Sequence, residues 1–541
     1  MIREKIVNLL ESALSPRESA LVEVFAPENE KFGHYSTNLA LKLAKILKKN
    51  PMEIAENIKN QIFSLREISR RETKIKNNII ERIEVAPPGF INFWLTPETF
   101  QEELKGILKR KGDYGKSQIA KSKSQKIQIE FISANPTGPL TVGNGRGAFL
   151  GDVLANILKF QGNKVIREYY INDAKTCAQV KELGRTALGQ GTTYKTKNLE
   201  LRIKNLESKL KKIKDYGEAG QLLAEEIQRD NQQFIEKKLK IKFNKWFSEE
   251  GLYKNNAISK TLQRLRNKKL VYSADGASWF KSKDFGDEKD RVLIRQTGEE
   301  SYFLPDLTYH LNKFENRKFD KVIDIWGADH HGYAPRIRAG LKAFKIPEDK
   351  LTIIITQLVR LVQSGKELRM SKRKGEYLTL EDLINEIGLD AGRFFFLMYS
   401  PDTHMDFDLD LAKEKSLKNP VYYVQYAAVR CQSILRKSEI NIRTSDVQEL
   451  KLLNTAEDIA LIRLLARFPE VIEEAAKNYN PQSLVRYSLN LAKEFHNFYE
   501  KERVVMEDKS ITSARLALIS ATLTVFKNIF KIIGISLPEK M

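Results

Sequence analysis

Glu130-Phe-Ile-Ser-Ala-Asn-Pro-Thr-Gly-Pro-Leu-Thr-Val-Gly-Asn-Gly-Arg-Gly147 holds three devices in one run. An apolar strand, Ile127–Ile132, leads into a turn built from Pro136, Gly138 and Pro139, and Gly143, Gly145 and Gly147 follow. Phe149, Leu150, Val153, Leu154, Ile157 and Leu158 then recur on one face of a helix that Gly162 stops, as a left-handed C-terminal residue does. Strand, glycine turn and helix N-terminus together bind phosphate, because free backbone N–H groups and the helix dipole face the anion. The glycines alone leave open a tight turn that serves only packing.

Outward from this stretch, strands alternate with helical patterns. Val165–Tyr170, Val322–Ile325 and Leu351–Thr356 read as further strands. A parallel, doubly wound, Rossmann-like α/β sheet is expected over residues 116–411. Residues 185–265, rich in Lys, Glu and Leu, read as a helical insertion into it. Residues 1–115 read as a small α/β domain. Ile2, Ile6, Leu9 and Leu10 repeat at helical spacing, a second helix runs through Leu39, Leu43 and Leu47, Asn50-Pro51 opens a third, and Gly89–Leu95 alternates like a strand. Lys111–Lys126 is polar and basic and reads as a linker. Residues 412–541 read as an all-α bundle with helices over Val421–Arg436, Ala456–Arg467, Ser483–Lys501 and Ala514–Ile533.

Three domains suit a chain of 541 residues, which is too long for one core. Lys and Arg total 91 against 70 Asp and Glu, a formal charge of +21 that fits a polyanionic partner through counterion release. Cys177 and Cys431 form no metal-type pair and no disulfide framework, which fits a reducing compartment. The N-terminal stretch carries Glu4 and Glu11 and does not read as a signal peptide, and the apolar run Leu516–Phe526 is too short to span a bilayer. A cytoplasmic protein with no membrane partner is expected.

Ser133–Asn144 resembles the HIGH region of arginyl-tRNA synthetases, and Arg369-Met-Ser-Lys-Arg373 resembles their KMSKS loop. Phe32–Asn38, Tyr170–Asp173, Trp246–Ser248, Tyr302–Asp306, Trp326–Gly332, Asp406–Asp410 and Asn419–Tyr426 resemble segments of the same family in the same order. The resemblance implies a class I enzyme that forms arginyl-adenylate from L-arginine and ATP, then transfers arginine to the 3′ end of its tRNA. It also implies that activation requires bound tRNA. The C-terminal bundle would contact the anticodon arm, and the N-terminal domain the outer corner of the tRNA. A monomer is expected.

By the same resemblance, Lys372 stabilises charge on the reacting phosphates, with Met370 and Ser371 in its loop. Thr141 and Asn144 stand where the family has histidines and supply neutral hydrogen bonds; Asn144 also reads as a simple helix cap. Gly143 and Gly145 flank the phosphates, and Gly327, Asp329 and His331 line the adenosine side. Glu130 and Asp306 hold the guanidinium, while Asn135 and Tyr302 face the α-amino end. Glu130 ends an apolar strand, where an unpaired carboxylate is costly, so its partner is either the substrate or an internal Lys or Arg. Magnesium is expected to arrive with ATP. His330 and His331 have no third ligand at sensible spacing, so no structural zinc is expected. The alternative, an RNA-binding protein that kept the scaffold without the reaction, has no need of Glu130, Asp306 and Lys372 together.

Overall fold

The computed structural model describes residues 1–27, 29–73, 79–117, 124–368, 378–438 and 447–541. Its central sheet has five parallel strands, ordered Leu351–Thr356, Lys321–Gly327, Lys126–Glu130, Lys164–Ile171, Lys245–Ser248. The strand ending in Glu130 lies in the middle, and the chain leaves it in opposite directions. A topological switch point therefore lies between Lys126–Glu130 and Lys321–Gly327, where such sheets open a crevice at their carboxyl ends.

The fifth strand corrects the expectation of a purely helical insertion. Lys245–Ser248 pairs in parallel with Glu168–Ile171. Four residues are too few to display a period, and the helices before it, Lys197–Asn205 and Tyr216–Lys237, dominate the local composition. A small antiparallel sheet of Val271–Ala274, Ala277–Phe280 and Arg291–Ile294 follows.

The helix Val142–Phe160 is pressed against the first strand through its small residues. A Cβ on Gly151 would stand 2.3 Å from Phe131, and one on Gly145 would stand 2.8 Å from Leu380 and 2.9 Å from Phe396. Gly162 takes a φ of 88°, the left-handed stop read from sequence.

In the N-terminal domain, Tyr35–Thr37, Phe90–Leu95 and Ile80–Ala86 form an antiparallel sheet with Phe90–Leu95 in the middle. Helices Ile2–Ser12, Leu39–Leu47 and Pro51–Thr73 accompany it, and Asn50 Oδ1 accepts from the Met52 N–H at 2.9 Å as a cap. The C-terminal bundle contains Pro420–Lys437, Ala456–Ala466, Phe468–Lys477, Gln482–Lys501 and Lys509–Ile533. The last of these is long and apolar enough to cross a membrane by length and composition, but most of it is buried inside the bundle.

The linker reading of Lys111–Lys126 is also corrected. Lys111–Asp113 forms a 3-10 turn, and Tyr114 is fully buried, stacked on Phe468. Asn528 donates to the carbonyls of Lys111 and Tyr114, which docks this segment on the bundle. Residues 118–123 lie outside the described residues.

One buried side chain joins three parts of the molecule. Arg393 donates to Asp152 Oδ2 (2.8 Å), to the Ile533 carbonyl (3.1 Å) and to the Leu239 carbonyl (2.8 Å). Phosphate-turn helix, C-terminal helix and insertion thus share one guanidinium. Arg393→Met leaves those acceptors unpaired and should destabilise the protein by about 3–5 kcal/mol in denaturant unfolding. A loss below about 1 kcal/mol would show that the three parts hold together without it.

Candidate active site

The glycine turn reaches the crevice through the N-cap of Val142–Phe160. Asn144 Oδ1 accepts from the Thr141 backbone N–H at 2.9 Å and from the Thr141 hydroxyl at 3.0 Å. The two residues expected to donate to phosphate therefore bind each other, and the Thr141 hydroxyl is spent as a donor. The Asn144 amide N–H groups are the side-chain donors that remain at this end. Gly143 is exposed, and a Cβ there would meet only the Thr141 hydroxyl, at 3.7 Å. Open space in front of a helix N-terminus lets an anion approach the backbone amides. At Gly145 the missing side chain makes room for Leu380 and Phe396, so packing alone requires a glycine there.

Leu380 N–H donates to the Leu140 carbonyl at 2.9 Å, and Thr379 bridges Thr141, so the chain returns beside the phosphate turn. On the other flank, Val359–Gln363 and Lys366–Glu367 form a hairpin. Met370, Ser371 and Lys372 fall between these anchors, in residues 369–377, and lie outside the described residues.

Opposite the turn is a cluster of acids. Asp306, on the helix Phe303–Leu311, accepts from the Tyr333 hydroxyl at 2.6 Å through Oδ2. Burial raises its pKa above the ordinary carboxylate value despite that bond and the neighbouring His310. Glu249 is buried, and its carboxylate has no side-chain partner among the described residues. Burial, with Asp306, Asp173 and Glu250 nearby, pushes its pKa up to about 8. The Tyr170 hydroxyl, next to Glu249, Asp306 and Glu130, is buried with no hydrogen-bond partner. Two desolvated acids and a buried hydroxyl, none fully matched among the described residues, thus lie near one another.

Glu130 does not belong to that unmatched set. Its Oε2 accepts from Lys313 Nζ at 2.7 Å and its Oε1 from the Ser133 hydroxyl at 3.0 Å. Of the two partners left open by sequence, the internal lysine is the one in place. Asn135 is exposed on the turn. Tyr302 is half-exposed and donates to Gln179 Oε1 at 3.3 Å. On the far side, Asp329 folds back over Gly327, where a Cβ would come within 2.6 Å of its carboxylate, and His330 Nε2 lies 3.5 Å from Asp329. His331 is exposed. Among the described residues, no three His, Cys, Asp or Glu side chains gather into a metal-holding group.

Residues 1–95 match the family model for the arginyl-tRNA synthetase N-terminal domain, residues 103–183 and 185–394 the class I (R) catalytic domain, and residues 424–541 the DALR anticodon-binding domain. An arginine–tRNA ligase of Listeria monocytogenes serotype 4b is 42% identical over 566 positions, spanning 99% of this chain and 98% of its own. The chain belongs to the arginyl-tRNA synthetases. The arginine–tRNA ligase of Shouchella clausii is 39% identical and spans 100% of this chain and 98% of its own. The fold matches the Thermus thermophilus arginyl-tRNA synthetase with a TM-score of 0.79 over the full length of both, at 21% identity.

Glu249 was not singled out from the sequence. A faint signal was present: it directly follows the Trp246–Ser248 segment. Asp173 sets it in place, accepting from the Ser248 hydroxyl at 2.6 Å and from the Glu250 N–H at 3.0 Å. The Tyr170–Asp173 segment, which carried no assigned role, thus builds one wall of the pocket. Tyr333 and Lys313 were also missed, since neither has a local pattern that separates it from an ordinary core residue.

Proposed function

We propose that this arginyl-tRNA synthetase holds the guanidinium of L-arginine between Asp306 and Glu249, with the Tyr170 hydroxyl facing it. The observation that carries this reading is the pair of desolvated carboxylates with no cation between them. Asp306 keeps Oδ1 for the ligand, and Glu249 keeps both oxygens, which suits a planar fork of donors. Asn135 and Tyr302 face the α-amino end. A pocket built this way also excludes neutral competitors, which would leave buried charges unpaired.

ATP enters with its magnesium as a substrate, its phosphates against the Gly143 N–H and the Asn144 amide group, and its adenosine toward Gly327, Asp329 and His331. Lys372 completes the phosphate side. Arginine carboxylate then attacks the α-phosphate and pyrophosphate leaves. A tRNA hydroxyl next attacks the adenylate, and the protein acts by orientation and charge stabilisation without a covalent intermediate. Residues 412–541 contact the anticodon arm and residues 1–115 the outer corner of the tRNA. The buried thiols Cys177 and Cys431 support a reducing, cytoplasmic setting.

Glu249 gives the test. Its folded pKa near 8 exceeds the ordinary value of 4.5, so the free protein keeps this proton while an unfolded chain loses it. Its unfavourable contribution to stability is absent below the ordinary value, grows as pH rises between the two, and is full above the folded one. A guanidinium pulls the group to its ionised form. Arginine binding at pH 7 should therefore release about one proton, and close to none above about pH 9. Calorimetry in two buffers of different ionisation heat measures this. Proton release should vanish in Glu249→Gln; release unchanged in that variant removes Glu249 from the site.

A further inference from the structure

Three acids stand side by side across the central sheet. Asp324 is in register with Glu130, and Glu130 with Glu168, on adjacent parallel strands, and all three are buried. One continuous helical segment faces them, Phe303–Leu311 running on as a π-turn over Asn312–Asn316. His310 Nε2 lies 2.9 Å from Asp324 Oδ2, and its Nδ1 lies 2.7 Å from the Asp306 carbonyl. The ring thus spans the Asp324 carboxylate and the backbone of Asp306. Lys313, completely buried, donates to Glu130 Oε2 at 2.7 Å and to Asp324 Oδ1 at 2.8 Å. Arg317 donates to Glu168, whose other oxygen accepts from the Tyr309 hydroxyl at 2.6 Å. Three acids thus meet His310, Lys313 and Arg317.

Such a ladder is a poor way to stabilise a core, since apolar side chains of similar size would do as well or better. What it supplies here is a fixed register between two elements. Asp306 lies one helical turn before His310, and its own carbonyl holds the His310 ring. At the other end, Glu130 Oε1 accepts from Ser133, whose oxygen in turn accepts from the Tyr170 N–H at 3.1 Å. Ile132 and Ser133 have φ of 69° and 39°, left-handed values that side chains rarely adopt without support. Of His310, Lys313 and Arg317, Lys313 is the one that donates to acids on two strands. π-turns of this kind collect at functional positions.

We propose that Lys313 is a positioning residue for arginine recognition: it locks the helix carrying Asp306 to the strand ending in Glu130, and so sets the width of the crevice that grips the guanidinium. This rests on Asp306 as a guanidinium acceptor. Lys313→Met alone would strand two acids, so the main variant is Lys313→Met/Asp324→Asn, which removes one charge of each sign. Lys313→Arg keeps the charge and lengthens the link. Aminoacylation kinetics with full-length protein and tRNA give the KM for each substrate. The double variant should raise the arginine KM by about 30-fold or more, and Lys313→Arg by about 10-fold, because small misplacements of a binding group are costly. The KM for ATP and for tRNA should stay within about threefold, as neither touches this crevice wall.

An arginine KM unchanged in Lys313→Arg overturns the proposal, even if the double variant does not fold. So does an equal rise for all three substrates, which marks general loosening. Asp306→Asn serves as the control. If it binds arginine normally, the pocket reading itself has failed; if it is impaired while both Lys313 variants are not, only the positioning role has.

Discussion

Asp306→Asn should weaken arginine binding by about 2–5 kcal/mol, because it strands half of a buried charge pair. The carboxylate offers Oδ1 to the ligand while Tyr333 occupies Oδ2. An amide in its place presents one acceptor and one donor. Either the Tyr333 hydroxyl or the guanidinium must then face an N–H, in a pocket where burial already raises the pKa of this group. ATP, proposed to bind at the glycine turn, should bind the variant as it binds the wild type. Equilibrium arginine binding measures the effect, and a loss below about 1 kcal/mol would move the guanidinium elsewhere. Glu130→Gln, equivalent to Asp306→Asn when only the sequence is read, is not equivalent in the structure. Its charge is matched by Lys313, so the substitution acts on the ladder and the Ser133 turn before it acts on the substrate.

Lys372→Ala should lower turnover by ~100-fold or more and leave the arginine KM nearly unchanged, because its charge matters where negative charge collects on the leaving pyrophosphate. The residue lies in 369–377, between a hairpin and the segment that hydrogen-bonds to the phosphate turn through Leu140 and Leu380. One anchor of this segment thus sits at the helix N-terminus proposed to bind ATP. The turn needs a cation from outside, since its own side chains at Thr141 and Asn144 are neutral and engage each other. Single-turnover and steady-state rates separate the effects. A change confined to the arginine KM would make Lys372 a substrate-binding group with no part in the transition state.

The strand, glycine turn and helix proposed to hold phosphate were legible in the sequence because they are local. Strand, glycine turn and helix follow one another within a few tens of residues, and the left-handed stop at Gly162 lies where the pattern places it. The doubly wound sheet was legible where strands are long and apolar, and illegible at Lys245–Ser248, which is short and half-exposed. The acid side of the site is non-local. Glu249, Asp306, Tyr333 and Tyr170 come from four separate segments, and their electrostatics exist only after folding removes water. Whether Gly143 or Gly145 faces the ligand depends on Leu380 and Phe396, far away in the chain. Glu130 shows the same limit: a buried carboxylate on a strand demands a cation, but which one is decided by a helix nearly two hundred residues later.

The most direct test of the account is single-turnover formation of arginyl-adenylate by the wild-type protein, with ATP, arginine and arginine-accepting tRNA all present. Adenylate should form, even though Thr141 and Asn144 are neutral donors, because the helix N-terminus, the Gly143 N–H and Lys372 carry the stabilisation. Wild-type protein that binds all three substrates and forms no adenylate would contradict it.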